Sequence, residues 1–333
     1  MNNIQWYPGH MTKTRRMMEE NISLVDIVIE LVDARIPYSS KNPDLDTLAK
    51  NKHRILLLNK CDLADERATD IWQEYFEKQG FRVIRINALR GNGLGEVTET
   101  ARGLMKEKIE KLKARGRINV PIRSMIVGIP NVGKSTFINK YVGKVTAKTG
   151  DKPGVTRGKQ WIKLKKDFEL LDTPGILWPK FEDQQVGLKL AFTGAINDDI
   201  LDPENMAIAF INHMISRNPD CLRNRYQITF EEPHVILEKI AMARGFKKKG
   251  DEPDLERAGK ILMDEYRGGK LGRLTLELPE DIDVMLEQKK ARAAEKAVLD
   301  KERKKAYNNN KNHRTGGYQI LWFSFLAAFK ISA

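Results

Sequence analysis

The chain has 333 residues, enough for about two domains, and 41% of them are hydrophobic, so a sizeable core is possible. Its 58 Lys and Arg against 45 Asp and Glu leave a formal net charge of +13, which points to a polyanionic partner, nucleic acid before membrane, with a merely Lys-rich soluble surface as the plain alternative. Cys61 and Cys221 are far apart and form no C-x-x-C pair, which excludes a thiol zinc site and a disulfide framework and fits a reducing, cytoplasmic setting.

The N-terminus, Met1 to Trp6, lacks a charged stretch followed by an apolar one, so it does not read as a secretion signal. Trp6-Tyr7-Pro8-Gly9-His10-Met11 is a turn punctuated by Pro-Gly. Thr12 to Leu24 reads as a helix with Thr12 as N-cap and Lys13, Arg15 and Arg16 outward. Val25 to Asp33 is a β-branched and aliphatic run suited to a buried parallel strand, ending in Asp33-Ala34-Arg35. His53 to Leu58 is a second such strand and leads into Asn59-Lys60-Cys61-Asp62.

An Asn-Lys-x-Asp turn after a strand has a specific chemical use. The Asp62 carboxylate can accept from guanine N1–H and from its exocyclic amino group together. Adenine has no such donor pair, and the loss can discriminate by roughly 10⁴. Asn59 either bonds the base edge or ties this turn to another loop. The Lys60 stem can cover the ring.

Ala68 to Gln79 reads as a helix closed by Gly80, and Phe81 to Ile86 as a third strand. Asn87-Ala88-Leu89 follows where guanine sites commonly carry Ser-Ala-Lys, leaving Asn87 and the Ala88 amide to meet guanine O6. A Gly-rich loop over 91–95, a helix to about Arg115 and the basic linker Ala114 to Arg117 lead on.

Gly128-Ile129-Pro130-Asn131-Val132-Gly133-Lys134-Ser135 is G-x-x-x-x-G-K-S, a phosphate-binding loop. Arg123 to Val127 supplies the strand before it and Thr136 to Tyr141 the helix after it. Amides from Asn131, Val132, Gly133, Lys134, Ser135 and Thr136 would cradle phosphate oxygens at a positive helix end. Lys134 can reach the β- and γ-phosphates, and the Ser135 hydroxyl can ligate Mg²⁺. Lys152 to Gly158 reads as a loop in which Thr156 would ligate Mg²⁺ only with γ-phosphate present. Strands at Lys159 to Lys166 and Phe168 to Leu171 bring in Asp172-Thr173-Pro174-Gly175. Asp172 would hold Mg²⁺ through water, and the Gly175 amide would sense the γ-phosphate.

The order is informative. Simple guanine-nucleotide domains run phosphate loop, switch threonine, D-x-x-G, N-K-x-D, S-A-K. Here the last two come first, a circular permutation cut after D-x-x-G and joined by Glu96 to Val120. The chain after Gly175 therefore enters the C-terminal half directly. The Trp6 to Met11 opening, the permuted order and the segment Gly272-Arg273-Leu274-Thr275-Leu276-Glu277 together resemble the bacterial circularly permuted GTPases that assist large-ribosomal-subunit maturation. The resemblance covers about residues 1–285. It implies GTP with Mg²⁺, stimulation by K⁺, a cytoplasmic protein and hydrolysis accelerated by the large subunit.

Many related GTPases place Gln after D-x-x-G to orient the attacking water. This chain has Ile176, so free hydrolysis is expected to be slow. Two candidates carry over from the resemblance. Asn131 is a K⁺ ligand or a loop-stabilising amide; His10 positions water on the ribosome or is a structural turn histidine.

In the C-terminal half, 186–196, 203–216, 234–244 and 253–266 read as helices. Lys247, Lys248, Lys249, Arg267, Lys270 and Arg273 are candidates for RNA phosphates or a solvated face. Residues 287–317 hold ten Lys and Arg against four Asp and Glu, and Asn308 to Asn310 suggests disorder. The apolar run 318–329 is too short to span a bilayer, which needs about twenty residues.

The expected fold is α/β: a circularly permuted phosphate-loop GTPase domain over 1–180 with an N-terminal arm at 1–24, mostly parallel with helices on both faces. An all-helical RNA-binding domain over 181–285 and a basic tail over 286–333 follow. The expected function is GTP hydrolysis by a monomeric large-subunit assembly factor that binds rRNA in the GTP state and lacks a transmembrane segment. The rivals are a GTP-dependent RNA-binding module without turnover and a GTP switch for a protein or membrane partner.

Overall fold

The computed structural model describes residues 9–117, 120–143, 160–165, 168–178, 181, 183–228, 231–287 and 291. The strands are Ile27–Asp33 (β1), His53–Asn59 (β2), Arg82–Arg85 (β3), Ile122–Gly128 (β4), Gln160–Lys165 (β5) and Phe168–Asp172 (β6). They form one sheet in the order β3-β2-β1-β4-β6-β5, parallel except for the β5–β6 pair. The permutation is visible here. Strand β4 follows β3 in the chain yet inserts between β1 and β6. All seven residues of β1 are buried, so both faces of the sheet are covered there.

The helices are Gly9–Asn21 (α1), Asp44–Leu48 (α2), Glu66–Lys78 (α3), Leu94–Ala114 (α4), Lys134–Val142 (α5), Gln184–Phe192 (α6), Pro203–Arg217 (α7), Asp220–Tyr226 (α8), Pro233–Ala243 (α9) and Leu255–Arg267 (α10). Capping explains several boundaries. Asp65, Asp202 and Asp254 each accept from a backbone amide three residues on, at 2.8, 2.7 and 3.1 Å, and so start α3, α7 and α10. Helix α6 stops at Phe192 rather than 196. Gly194, φ 76°, turns the chain, and Ala195 N closes the end by donating to Leu190 O at 2.9 Å.

The chain divides into a compact unit Met1–Pro279 and a second unit Glu280–Ala333, of which 280–287 is helical. Within the first unit the buried apolar side chains form one cluster from Met11 to Leu276, shared by the sheet and by α6 to α10. Helix α10 packs on α7 and α9. Glu265 on α10 gathers Arg225 at 2.8 Å from both carboxylate oxygens, Tyr226 Oη at 2.9 Å, and Arg244. The Arg225 bonds, opposed by burial and helped by Tyr226 and Arg244, bring the carboxyl down to about 2. Among the described residues no helix is long and apolar enough to cross a membrane. The apolar run 318–329 lies outside them.

Candidate nucleotide site

The parallel strands point their carboxyl ends to one edge of the sheet, where ligands bind in such folds. Register aligns Leu31 with Gly128, Asp33 with Asn59 and Ile126 with Asp172. The phosphate loop after β4, the N-K-C-D turn after β2 and the D-T-P-G segment after β6 therefore meet at that edge.

Asn59 takes one of the two roles open to it. Its side chain is buried and acts as a clasp: Nδ2 donates to Val132 O at 2.7 Å, and Oδ1 accepts from Ala88 N at 3.0 Å. One amide thus joins the N-K-C-D turn to the phosphate loop and to the Asn87-Ala88-Leu89 loop. It also explains Gly133, which has φ 98°, and whose hypothetical Cβ would lie 2.4 Å from Asn59 Nδ2. The Ala88 amide, expected at guanine O6, is the one engaged by Asn59. Asn87 is buried and shapes its own loop, accepting from Arg90 N at 2.9 Å through Oδ1 and from Gly91 N at 2.7 Å through its carbonyl.

Lys60 reaches the phosphate loop. Its Nζ donates to Asn131 O at 2.8 Å and pairs with Asp33 Oδ2 at 3.0 Å. Asp33, buried, also receives Arg35 through Nε at 2.9 Å and Nη2 at 2.8 Å. Burial alone would raise the Asp33 carboxyl; Arg35 and Lys60 outweigh it and hold the group well below the usual range. The Asp33-Ala34-Arg35 sequence was visible at the strand end, but nothing local showed that it anchors Lys60. Cys61 Sγ donates to Ile86 O at 3.2 Å, and Asp62 is exposed.

On the phosphate side, Lys134 and Asp172 are buried and face each other, Nζ to Oδ1 3.3 Å. Burial lowers the Lys134 pKa and raises that of Asp172, each opposed by its partner's charge. Thr173 Oγ1 donates to Ile126 O at 2.7 Å, and Ile176 N donates to Gly128 O at 3.1 Å. A Cβ on Gly175 would lie 3.0 Å from Pro130 Cα, so any side chain here would push this segment off the phosphate-loop backbone unless that backbone gave way. Ile176 is buried and offers no hydrogen bond from its side chain. Ser135 and Thr136 are half-buried at the start of α5. Asn131, φ 56°, donates from Nδ2 to Gly194 O at 2.8 Å, tying the phosphate loop to the turn after α6.

His10 stands in the first turn of α1; its side chain and Thr156 lie outside what the structure describes. The adjacent Met11 is fully buried, and its Sδ accepts from Leu177 N at 3.5 Å, two residues after Gly175. Of the basic candidates, Lys247, Lys248, Lys249 and Lys270 are exposed. Two others are occupied within the fold. Arg267 donates to Phe192 O and Ala191 O at 3.0 and 2.8 Å and pairs with Asp198 at 2.5 Å. Arg273 donates to Ala64 O at 2.8 Å and Cys61 O at 3.2 Å.

Over 287 residues the chain is 49% identical to ribosome biogenesis GTPase A of Bacillus cereus, spanning 85% of this chain and 97% of that one. The chain belongs to the ribosome biogenesis GTPase A family. The Thermotoga maritima member is 36% identical over 280 residues, 84% of this chain and 96% of that one. A GDP-bound YlqF structure matches with TM-score 0.56 and 33% identity over 80% of this chain and 100% of that one. GNP-bound YlqF from T. maritima matches at 0.55 and 32%, over 80% and 99%. A family model described as 50S ribosome-binding GTPase matches residues 123–227, beginning at the phosphate-loop strand. The permutation puts Asn59 to Asp62 upstream of that match. The chain is a GTPase, and its substrate is GTP.

Proposed function

We propose that this GTPase is an assembly factor for the large ribosomal subunit, completed as a catalyst only when docked on that particle. The observation that carries this is Ile176, buried and bonded to Gly128 where a water-orienting polar side chain would stand. The names of the relatives and the 50S description of the matching model support the choice of particle.

The chemistry of Asp172, a buried carboxylate, and of Ser135, a hydroxyl at the start of α5, suits a hard cation: both would hold Mg²⁺, and Thr156, outside the described residues, is the proposed third oxygen ligand. Bound Mg²⁺ would supply charge neutralisation between the β- and γ-phosphates. Lys134 releases Asp172 to meet the phosphates, the amides of 131–136 cradle them, and the Gly175 amide marks the γ-phosphate. Asn131, whose Nδ2 is anchored at Gly194, would hold K⁺ with its side-chain amide, and the ion would supply charge neutralisation there. His10 positions the attacking water, with Met11 fastening α1 beside the segment that follows Gly175. On the base side, Asp62 accepts from the guanine edge, beside Lys60 and Cys61, with Asn87 and Ala88 shaping the opposite loop.

Lys247, Lys248, Lys249 and Lys270 meet rRNA phosphates, and Arg267 and Arg273 act chiefly through the fold. Residues 1–180 form the GTPase domain, 181–285 an RNA-binding region and 286–333 a basic tail. The protein acts as a monomer in the cytoplasm. GTP orders the loop around Thr156 and Gly175, hydrolysis follows docking, and the factor leaves.

The test is GTP turnover in KCl and in NaCl, with and without purified large subunits. Stimulation by subunits in KCl and much less in NaCl is expected. No stimulation in either salt overturns the proposal in favour of an RNA-binding module without turnover or a switch for another partner.

A further inference from the structure

The Asn59-Lys60-Cys61-Asp62 turn does not stand by itself. Lys60 has φ 62°, a left-handed conformation that costs a lysine strain and needs outside support. One local bond, Leu63 N to Lys60 O at 2.9 Å, closes the turn. The side chains of Asn59, Lys60 and Cys61 tie it to the neighbouring loops, and further support comes from the far end of the compact unit. After α10 the chain doubles back, and residues 273–276 run along the turn as a strap. Leu274 N donates to Leu63 O at 2.9 Å, Asp65 N donates to Thr275 Oγ1 at 3.1 Å, and Leu276 N donates to Arg35 O at 2.8 Å.

Arg273 is the side chain that grips. Nε donates to Ala64 O at 2.8 Å, and Nη2 donates to Cys61 O at 3.2 Å. Nη1 pairs with Glu66 Oε2 at 3.3 Å. The two carbonyls lie on either side of Asp62 in the chain. A planar guanidinium can bridge both at once, whereas a lysine offers a single nitrogen. An arginine kept for RNA phosphates would present its donors outward; this one engages the turn at Cys61, the residue Ala64 just after it and Glu66 at the start of α3.

We infer that Arg273 is a positioning residue for guanine recognition, holding the backbone on both sides of Asp62 so that its carboxylate meets the base edge. The inference rests on the reading of Asp62 as the guanine acceptor. Its consequence concerns selectivity, not folding alone. Inosine nucleotides lack only the exocyclic amino group of guanine, so they report the second bond to Asp62. A turn that drifts loses that bond's discrimination along with affinity.

The experiment measures GDP and IDP affinities of the full chain by titration calorimetry for wild type, Arg273→Ala, Arg273→Lys and Asp62→Asn. Arg273→Ala is expected to weaken GDP by about tenfold, the loss of one to two charge-assisted hydrogen bonds, and to cut the GDP-over-IDP preference by about threefold. Arg273→Lys is expected to recover affinity in part without restoring the preference. A merely structural role would lower the fraction of binding sites and leave the preference of the folded molecules alone. An unchanged preference in Arg273→Ala, with Asp62→Asn altering it, overturns the inference. An unchanged preference in Asp62→Asn overturns the reading of Asp62 itself.

Discussion

On the phosphate side, Lys134 faces Asp172 and Ile176 is bonded to Gly128, so two neighbouring strands, β4 and β6, bring the working groups together. On the base side, the turn after β2 leans on Arg273, Leu274 and Thr275, from beyond the last helix of the unit. The first arrangement joins neighbouring strands and, under the proposed function, waits for the particle to finish it; the second is held from more than 200 residues away. A permuted chain makes this division natural. The strand carrying the N-K-C-D turn comes before the phosphate-loop strand, and the region that follows D-T-P-G returns to hold it.

The largest expected effect breaks the brace. Glu277 is fully buried, accepts from Ser39 N at 2.7 Å and Ser39 Oγ at 2.5 Å, and pairs with buried Lys189 at 3.0 Å. Glu277→Ala strands that lysine, and urea unfolding should show a loss of about 4 kcal/mol. A loss under about 1 kcal/mol would mean that the strap holds without this anchor.

Next comes acid. Folding lowers the Glu265 carboxyl from 4.5 to about 2, so the unfolded chain takes up that proton first as pH falls. The stabilisation is present above pH 4.5 and is lost progressively down to about pH 2, roughly 3 kcal/mol in all. Unfolding titrations of wild type and Glu265→Gln across that window should converge at the acid end.

Lys134→Ala strikes the other side. It should leave the brace intact and lower GTP affinity by roughly a hundredfold, the worth of one to two bonds between charged groups. Full GTP affinity in that variant contradicts the phosphate-loop role. The smallest effect is expected from Ile176→Gln. The position is buried against the phosphate loop, so an amide there is not free to orient water. Intrinsic turnover should stay within about threefold of wild type; a large gain would show that the site lacked only a side chain at this position.

The division also marks what the sequence could tell. Near-continuous apolar runs such as Val25 to Asp33 announced the buried strands, and motif spacing announced the phosphate loop and its partners. The seven-residue α8, Asp220–Tyr226, was too short and polar to give a period. Arg273 looked like one more positive charge because its carbonyl partners lie more than 200 residues away. Asn59 had two chemically reasonable roles, and only the arrival of Val132 and Ala88 beside it chose between them. Asn131 carried no hint of Gly194, since nothing local links a phosphate loop to a helix end 63 residues on.

The measurement that tests the account most directly is a kcat and KM determination for GTP in KCl as large subunits are titrated in. A prebuilt base side and an unfinished phosphate side predict that kcat rises steeply while KM stays within about threefold. A fall in KM at constant kcat would contradict the account, because the particle would then be building the binding site and not completing the chemistry.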